Sequence, residues 1–354
     1  MTERVVVAGG GPVGLAAALA VRARGLDVVV VEPREGAVDK ACGEGLMPGT
    51  VAALAGLGVP AGALAGHPFT GITYVGPDGR TRAGHDFTGG AGLGVRRPVL
   101  HAALAEAAVR AGVPVLRGRV ADVSQDGARV RAQVVAGPGH GPRPVDGDWL
   151  LACDGLHSTV RRRLGLDAGS DGRRYGLRRH AAVAPWSRHV EVHWSALGEV
   201  YVTPVGPAEV GVALLGRRGL DLDGALASFP ALAPRLAGAG WSTPVRGAGP
   251  LRQRVTARTA GRVLLVGDAA GYVDALTGEG LRIGLASALA AADAVVAGDP
   301  GRYERAWRAV TRDYRWLTGG LVAATRSGPV RRALVPAASR LPRVFGGAVE
   351  VLAG

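Results

Sequence analysis

Four apolar residues, Val5-Val6-Val7-Ala8, run directly into Gly9-Gly10-Gly11-Pro12-Val13-Gly14 and then into an apolar helical pattern over residues 15–24. A short buried strand that turns at once into a helix is the opening of a strand–helix–strand unit, which belongs to an α/β sheet. Gly9, Gly11 and Gly14 fit G-x-G-x-x-G. The first glycine serves a tight turn, the second lets a pyrophosphate approach the backbone, and the third lets helix and strand pack closely. A second strand over residues 27–31 ends in Glu32, placed to accept hydrogen bonds from a ribose; Pro12 and Arg34 join it as binding candidates. In a chain with 57 glycines the motif alone carries little weight. The strand before it, the helix after it and the acid at the next strand's end make it a dinucleotide-binding signal.

Two further segments repeat the strand-to-acid pattern. Residues 263–266, Val-Leu-Leu-Val, read as a buried parallel strand stopping at Gly267, with Asp268 at its carboxyl end. A small-residue turn leads through Thr277-Gly278-Glu279-Gly280 to a helix marked by Leu281, Leu285 and Leu289. Its N-terminus would offer unpaired N–H groups and partial positive charge to a polar ligand. Midway, Trp149-Leu150-Leu151-Ala152-Cys153-Asp154 is again a strand ending in an acid, followed by Gly155-Leu156-His157-Ser158-Thr159-Val160-Arg161.

In this order and spacing the three segments resemble the superfamily of FAD-dependent aromatic hydroxylases, geranylgeranyl reductases and flavin halogenases. Its members carry G-x-G-x-x-G early, D-G-x-x-S-x-V-R midway and G-D late, and the resemblance covers roughly residues 3–295. It implies an α/β fold: a Rossmann-like FAD-binding domain, an inserted antiparallel β-sheet flooring the substrate pocket, and a helical C-terminal tail. It also implies FAD as cofactor, with Asp268, next to Gly267, as a ligand of the ribityl chain. Gly278, Gly280 and Leu281 would lie at the isoalloxazine, near its pyrimidine edge. Arg97, in Arg97-Pro98-Val99-Leu100-His101, matches the family arginine near the FAD phosphates. Asp154 would organise its own turn and help hold the NAD(P)H or FAD region.

Composition agrees with a globular chain: 354 residues, 47% hydrophobic and 20% charged. No run of 18 apolar residues and no signal-peptide pattern occur, so a cytoplasmic protein without a membrane span is expected. Cys42 and Cys153 stand far apart and offer no disulfide framework. The net charge of +13 comes almost wholly from arginines spread along the chain. Clusters such as Arg161-Arg162-Arg163 lack interleaved aromatics and read as a solvated face, not a nucleic-acid site. The charge leaves room for anionic cofactors or a carrier-bound substrate. The eight histidines show no ligand spacing, and no metal site is expected. His180, His189 and His193 fall on strands, where satisfied or exposed histidines are the expectation.

The motifs divide the chain into an FAD-binding part over residues 1–66, a β insertion over 67–92, and a second FAD-binding part over 93–168. A substrate-binding β-sheet follows over 169–255, then a third FAD-binding part over 256–297 and C-terminal helices over 298–354, broken at Pro329, Pro336 and Pro342.

The loop Asp39-Lys40-Ala41-Cys42-Gly43-Glu44-Gly45-Leu46-Met47-Pro48 follows the ribose acid. Lys40 is the only lysine, which favours a compact ammonium over drift on the surface no more than evenly. Cys42 reads as a small core residue or, beside Lys40, as a thiol of altered reactivity. These two are the candidate catalytic residues. Gly43-Glu44-Gly45-Leu46-Met47-Pro48 fits the halogenase G-E-x-x-x-P, but the halogenase W-x-W-x-I-P motif is missing and Thr70 stands where its lysine is expected. The C-G-E-G loop and Leu276-Thr277-Gly278-Glu279-Gly280 resemble geranylgeranyl reductases, although Ala275 replaces the usual proline and no dominant apolar lining is visible. The leading expectation is a monooxygenase hydroxylating a small aromatic or polycyclic metabolite of secondary metabolism. Family members do so through a flavin C4a-hydroperoxide, which needs a dry pocket more than a particular acid or base. Electrons would come from NAD(P)H or from a partner flavin reductase. The alternatives are a reductase of carbon–carbon double bonds and a flavoprotein that senses or acts on a protein partner.

Overall fold

Arg4–Ala8 lies at the centre of a six-stranded sheet because Val5, Val6 and Val7 are fully buried on both faces. The structure is a computed structural model describing residues 3–137, 139–170 and 172–354. Across this sheet the strands run Val115–Arg117, Asp27–Glu32, Arg4–Ala8, Trp149–Ala152, Val263–Leu265 and Thr259–Ala260. All neighbours are parallel except the last pair. The register sets Val5 against Val28 on one side and Trp149 on the other. The three strand ends that carry Glu32, Asp154 and Asp268 therefore emerge on one edge, where open α/β sheets hold ligands.

The helices Pro12–Ala23, Arg97–Arg110 and Gly280–Val296 pack together through alanine-rich faces, among them Ala16, Ala17, Ala20, Ala288 and Ala291. A three-stranded antiparallel sheet, Arg119–Gln125, Val130–Val135 and Arg143–Gly147, lays Val120, Val130, Ala132 and Val134 against the same core.

The second large sheet has eight strands. Its order is Gly240–Trp241, Arg174–Ala182, Glu209–Arg217, Gly198–Gly206, His189–Trp194, Gly71–Val75 and Arg82–Asp86, with Arg246–Ala248 also pairing Arg174–Ala182. Gly71–Val75 runs parallel to His189–Trp194, so the early hairpin is continuous with the later strands. One face, with Val200, Val202, Val212 and Leu214, packs on the helices Leu222–Leu226 and Ala233–Leu236. The other carries Tyr201, Ala213, Leu215, Val192 and Trp194.

That second face overturns the expectation that the sheet has no apolar lining. It joins Met47, Phe69, Ile72 and Leu276, and the C-terminal helices cover it with Val322, Val335, Phe345 and Val349. These helices are Pro300–Ala324, Gly328–Arg340 and Pro342–Ala353. Pro329 and Pro342 stand in first turns, where no backbone N–H is needed, but Pro336 lies inside a helix instead of breaking it. Fully buried Val335 anchors that turn, so packing outweighs the lost hydrogen bond. Among the described residues no helix is long and apolar enough to cross a membrane.

Arg161 is another correction, since it is 1% exposed and not on a solvated face. Its guanidinium donates to the carbonyls of Leu156 at 2.9 Å and Ala269 at 3.2 Å and to Gln253 Oε1 at 3.1 Å, and pairs with Asp167. It thereby bolts the midway motif to the turn after Asp268. Replacing Arg161 by Met would leave these acceptors buried without a donor, at a cost of about 3 kcal/mol. Urea unfolding would show a lower midpoint, and an unchanged midpoint would remove the bolt from this account.

Buried Glu191 sits in the second sheet. Burial opposes its ionisation, but hydrogen bonds from His193, Trp186 and Arg82 win and bring its pKa to about 2. The folded value lies below the ordinary 4.5, so its contribution to stability is complete above about 4.5 and fades as pH falls toward 2. Glu191→Gln should flatten the acid limb of a stability–pH curve in that window, and an identical limb would show that Glu191 does not shape it.

Candidate functional site

The glycine loop after the first strand is built by close contact. Gly9 takes φ +102°, and a Cβ at Gly14 would stand 1.8 Å from the Gly9 carbonyl oxygen. A Cβ at Gly11, by contrast, would meet nothing within 4 Å, so this stretch of backbone faces open space. Pro12 is the first residue of the following helix, its fixed φ suiting that position.

Glu32 ends the second strand behind this loop. Its Oε2 accepts from the Gly10 N–H at 2.7 Å, and Oε1 accepts from Arg34 N–H at 3.0 Å and Arg34 Nε at 2.8 Å. Burial raises the cost of its charge, yet these bonds hold its carboxyl below the usual range. His101 is a neighbour that the sequence reading missed. Its Nε2 lies 2.9 Å from the Gly10 carbonyl, and burial lowers its pKa, so a neutral ring donates there and supports the loop from beneath. The only sequence hint was its place in the first turns of the Arg97 helix.

Arg97 opens that helix. Its N–H donates to Glu44 Oε1 at 2.8 Å, while its side-chain Nε is buried with no partner. Lys40 extends from the preceding loop with its ammonium 3.9 Å from where a Cβ of Gly155 would stand. Although Lys40 is exposed at the surface of the groove, the surrounding protein and then the charges of Arg34 and Arg97 lower its pKa, opposed by Asp268 and Glu32. Lys40, Arg34 and Arg97 thus form a basic group beside the glycine loop. Cys42 is half-buried; its Sγ lies 3.4 Å from the Glu44 N–H and 4.0 Å from the Arg97 guanidinium.

Asp154 uses Oδ2 to accept from the N–H groups of Thr159 at 2.7 Å and Val160 at 3.1 Å, so it organises its turn. Its Oδ1 is buried without a partner. Gly267 donates its N–H to Ser287 at 3.1 Å. Asp268 stands beside it, half-buried; burial raises its pKa, countered by Arg97, Lys40 and Arg161. Downstream, Tyr314 OH donates to the Asp274 carbonyl at 2.8 Å, Thr277 bonds Thr318 at 2.8 Å, and Tyr201 OH donates to the Leu276 carbonyl. These contacts fix Gly278, which takes φ +71°, and bring Gly280 and Leu281 to the start of Gly280–Val296. The sequence-predicted residues therefore gather on one sheet edge, from Glu32 and Arg34 through Gly9–Gly14, Arg97, Lys40 and Asp154 to Asp268. Gly278, Gly280 and Leu281 continue that wall toward the second sheet.

The loop from Asp39 to Leu46 joins the wall to the second sheet. Glu44, 2% exposed, is the only non-glycine residue with positive φ among those described, at +61°. Its Oε2 lies 2.6 Å from His180 Nε2, and buried Arg178 reaches Glu44, Asp39 and the Lys40 carbonyl. His189 pairs with Asp86 and Thr73, and His193 with Glu191, so His180, His189 and His193 are all satisfied.

A family model for an FAD binding domain matches residues 2–212. The chain belongs to the FAD binding domain family. It is 29% identical over 333 residues to a menaquinone reductase of Mycolicibacterium smegmatis, covering 88% of this chain and 80% of that one. It is 27% identical over 329 residues to a digeranylgeranylglycerophospholipid reductase of Methanothrix thermoacetophila, covering 86% and 82%. The fold is shared with p-nitrophenol 4-monooxygenase from Pseudomonas putida, with a TM-score of 0.82, 20% identity and coverage of 100% and 98%. The protein is an FAD-binding oxidoreductase with the α/β fold that the sequence implied.

The residues fit FAD. Open backbone at Gly11, the unpartnered Arg97 Nε and the basic group beside them suit a pyrophosphate, and Asp268 stands further along the same wall. Arg97→Met would lose a charge-assisted contact and weaken FAD retention about tenfold. Asp268→Ala would also weaken it. Flavin absorbance after gel filtration checks both, and full retention would deny them a role in holding the cofactor.

Proposed function

We propose that the protein reduces a carbon–carbon double bond in an apolar, isoprenoid-bearing substrate. The observation that carries this reading is the apolar face of the second sheet beside the Leu276–Gly280 turn. Tyr74 packs there against Trp194 at 5.5 Å and Phe345 at 5.0 Å between ring centroids, with Met47, Phe69 and Tyr201 in the same cluster. This cluster, closed over by the C-terminal helices, keeps the turn beside it in apolar, water-poor surroundings. The two relatives matched along most of the chain, reductases of menaquinone and of a phospholipid with geranylgeranyl chains, support it. So do the C-G-E-G and L-T-G-E-G segments.

When bound, reduced FAD supplies the hydride equivalent that, with one proton, saturates the double bond, and NAD(P)H or a partner reductase restores it. The chain's own residues supply position. Gly9–Gly14, Glu32, Arg34 and Arg97 would hold the nucleotide end of FAD, Asp268 its middle, and the turn through Gly278 would border its ring. Lys40 would add charge near the phosphates. Hydroxylation remains the reading that the shared fold with a p-nitrophenol monooxygenase allows.

Anaerobic turnover with chemically reduced flavin and a panel of isoprenoid quinones and prenyl lipids tests this. The expected product gains two hydrogen atoms without O2. A product that forms only in air and carries an added oxygen atom would replace this reading with hydroxylation.

A further inference from the structure

The last two helices, Gly328–Arg340 and Pro342–Ala353, pack on each other and on the edge strand Arg82–Asp86 of the second sheet. Their inner faces are fixed by that packing. Val335 is fully buried, and Phe345 and Val349 enter the apolar cluster. Gly346 sits so close to His85 that a Cβ there would stand 2.7 Å from its ring. Glu350 completes the seat: its carboxylate lies 2.8 Å from His85 Nε2 and accepts from the Thr88 N–H at 2.9 Å and hydroxyl at 2.8 Å. With one side of each helix so held, the helical repeat turns the opposite side outward.

That outer side is apolar and basic at once. Val344, 67% exposed, and Val351 share one stripe, while Val330, Ala333 and Ala337 line another on the neighbouring helix, with Leu341 exposed at the junction. Counting Trp316 on the preceding helix, five of the ten large apolar side chains exposed among the described residues lie within residues 316–351. Single exposed apolar residues are ordinary, but a concentration on adjoining helices marks an interaction surface. Arg332, Arg340 and Arg343 stand exposed on the same two helices and pair with no carboxylate among the described residues. Residues 315–354 hold six arginines and one acid, Glu350, which His85 and Thr88 already occupy. A second copy of this chain in a symmetric pair would set these arginines against each other with no carboxylate between them. An anionic lipid surface satisfies both features: guanidinium groups meet the headgroups while valine and leucine enter the acyl boundary.

We propose that the outer face of these two helices docks on the surface of an anionic lipid bilayer without crossing it. This concerns where the protein works, whichever reaction its flavin serves. Flotation of the FAD-loaded protein with vesicles tests it, using phosphatidylcholine alone or with a third of the lipid replaced by phosphatidylglycerol. The protein should float with the anionic vesicles, and neutral ones should carry about tenfold less or fewer still. Arg340→Gln with Arg343→Gln should lower the partition about tenfold, and Val344→Ser with Val351→Ser by about as much. All four positions are exposed, so flavin retention and melting temperature should stay unchanged. Arg119→Gln with Arg143→Gln removes the same charge from the three-stranded sheet, which packs on the other core, and should alter the partition less than about twofold. Equal loss in that pair would mean adsorption by net charge alone and would overturn the docking face. Undiminished binding by the valine pair, or no flotation with anionic vesicles, would also overturn it. So would a dimer in sedimentation equilibrium that the valine pair abolishes, because the face would then belong to a second copy.

Discussion

A single buried carboxylate holds the two halves of the cleft at a fixed distance. Glu44 faces the Arg97 N–H on the nucleotide side and His180 and Arg178 on the sheet side, with almost no access to solvent. Charges so placed are costly unless every partner is present, and removal of any one would leave the others uncompensated. The left-handed backbone at Glu44 shows the demand this puts on the loop, since a bulky side chain rarely accepts that conformation. Cys42 and Lys40 are carried by this tether, and their positions follow from it.

From there the cleft is ordered by charge. Basic groups lie beside the glycine loop, carboxylates stand at three strand ends, and an apolar floor begins at the turn through Leu276. The apolar floor is a property of sheet register, because alternate residues on three neighbouring strands supply it.

The nucleotide wall was legible in the sequence because its requirements are local. A glycine turn, the helix behind it and an acid at the next strand end are each written within a few neighbouring residues, and Glu32, Asp154 and Asp268 all stand at strand ends on one edge. Arg97 was legible only through resemblance, since nothing around it distinguishes it from the other arginines. The Glu44 tether was hidden because its members, at positions 39, 44, 97, 178 and 180, meet only after folding. The apolar lining escaped notice for the same reason: part of it comes from C-terminal helices whose prolines read as breaks. Arg161 was misread because composition makes every arginine look like surface, while burial here is fixed by the carbonyls it bridges.

The parallel pairing of Gly71–Val75 with His189–Trp194 has a consequence for how the molecule is made. The chain leaves the nucleotide layer, lays down one hairpin, returns to complete more than a hundred residues of other structure, and only then supplies the strand that the hairpin pairs with. Loop closure on that scale is entropically uphill before any contact repays it, so contact order in this layer is high and assembly late. During synthesis the hairpin's inner edge would wait unpaired, a template for stray strands until its partner arrives. Neither layer is a continuous stretch of chain, so the unfolding of one pulls on the other.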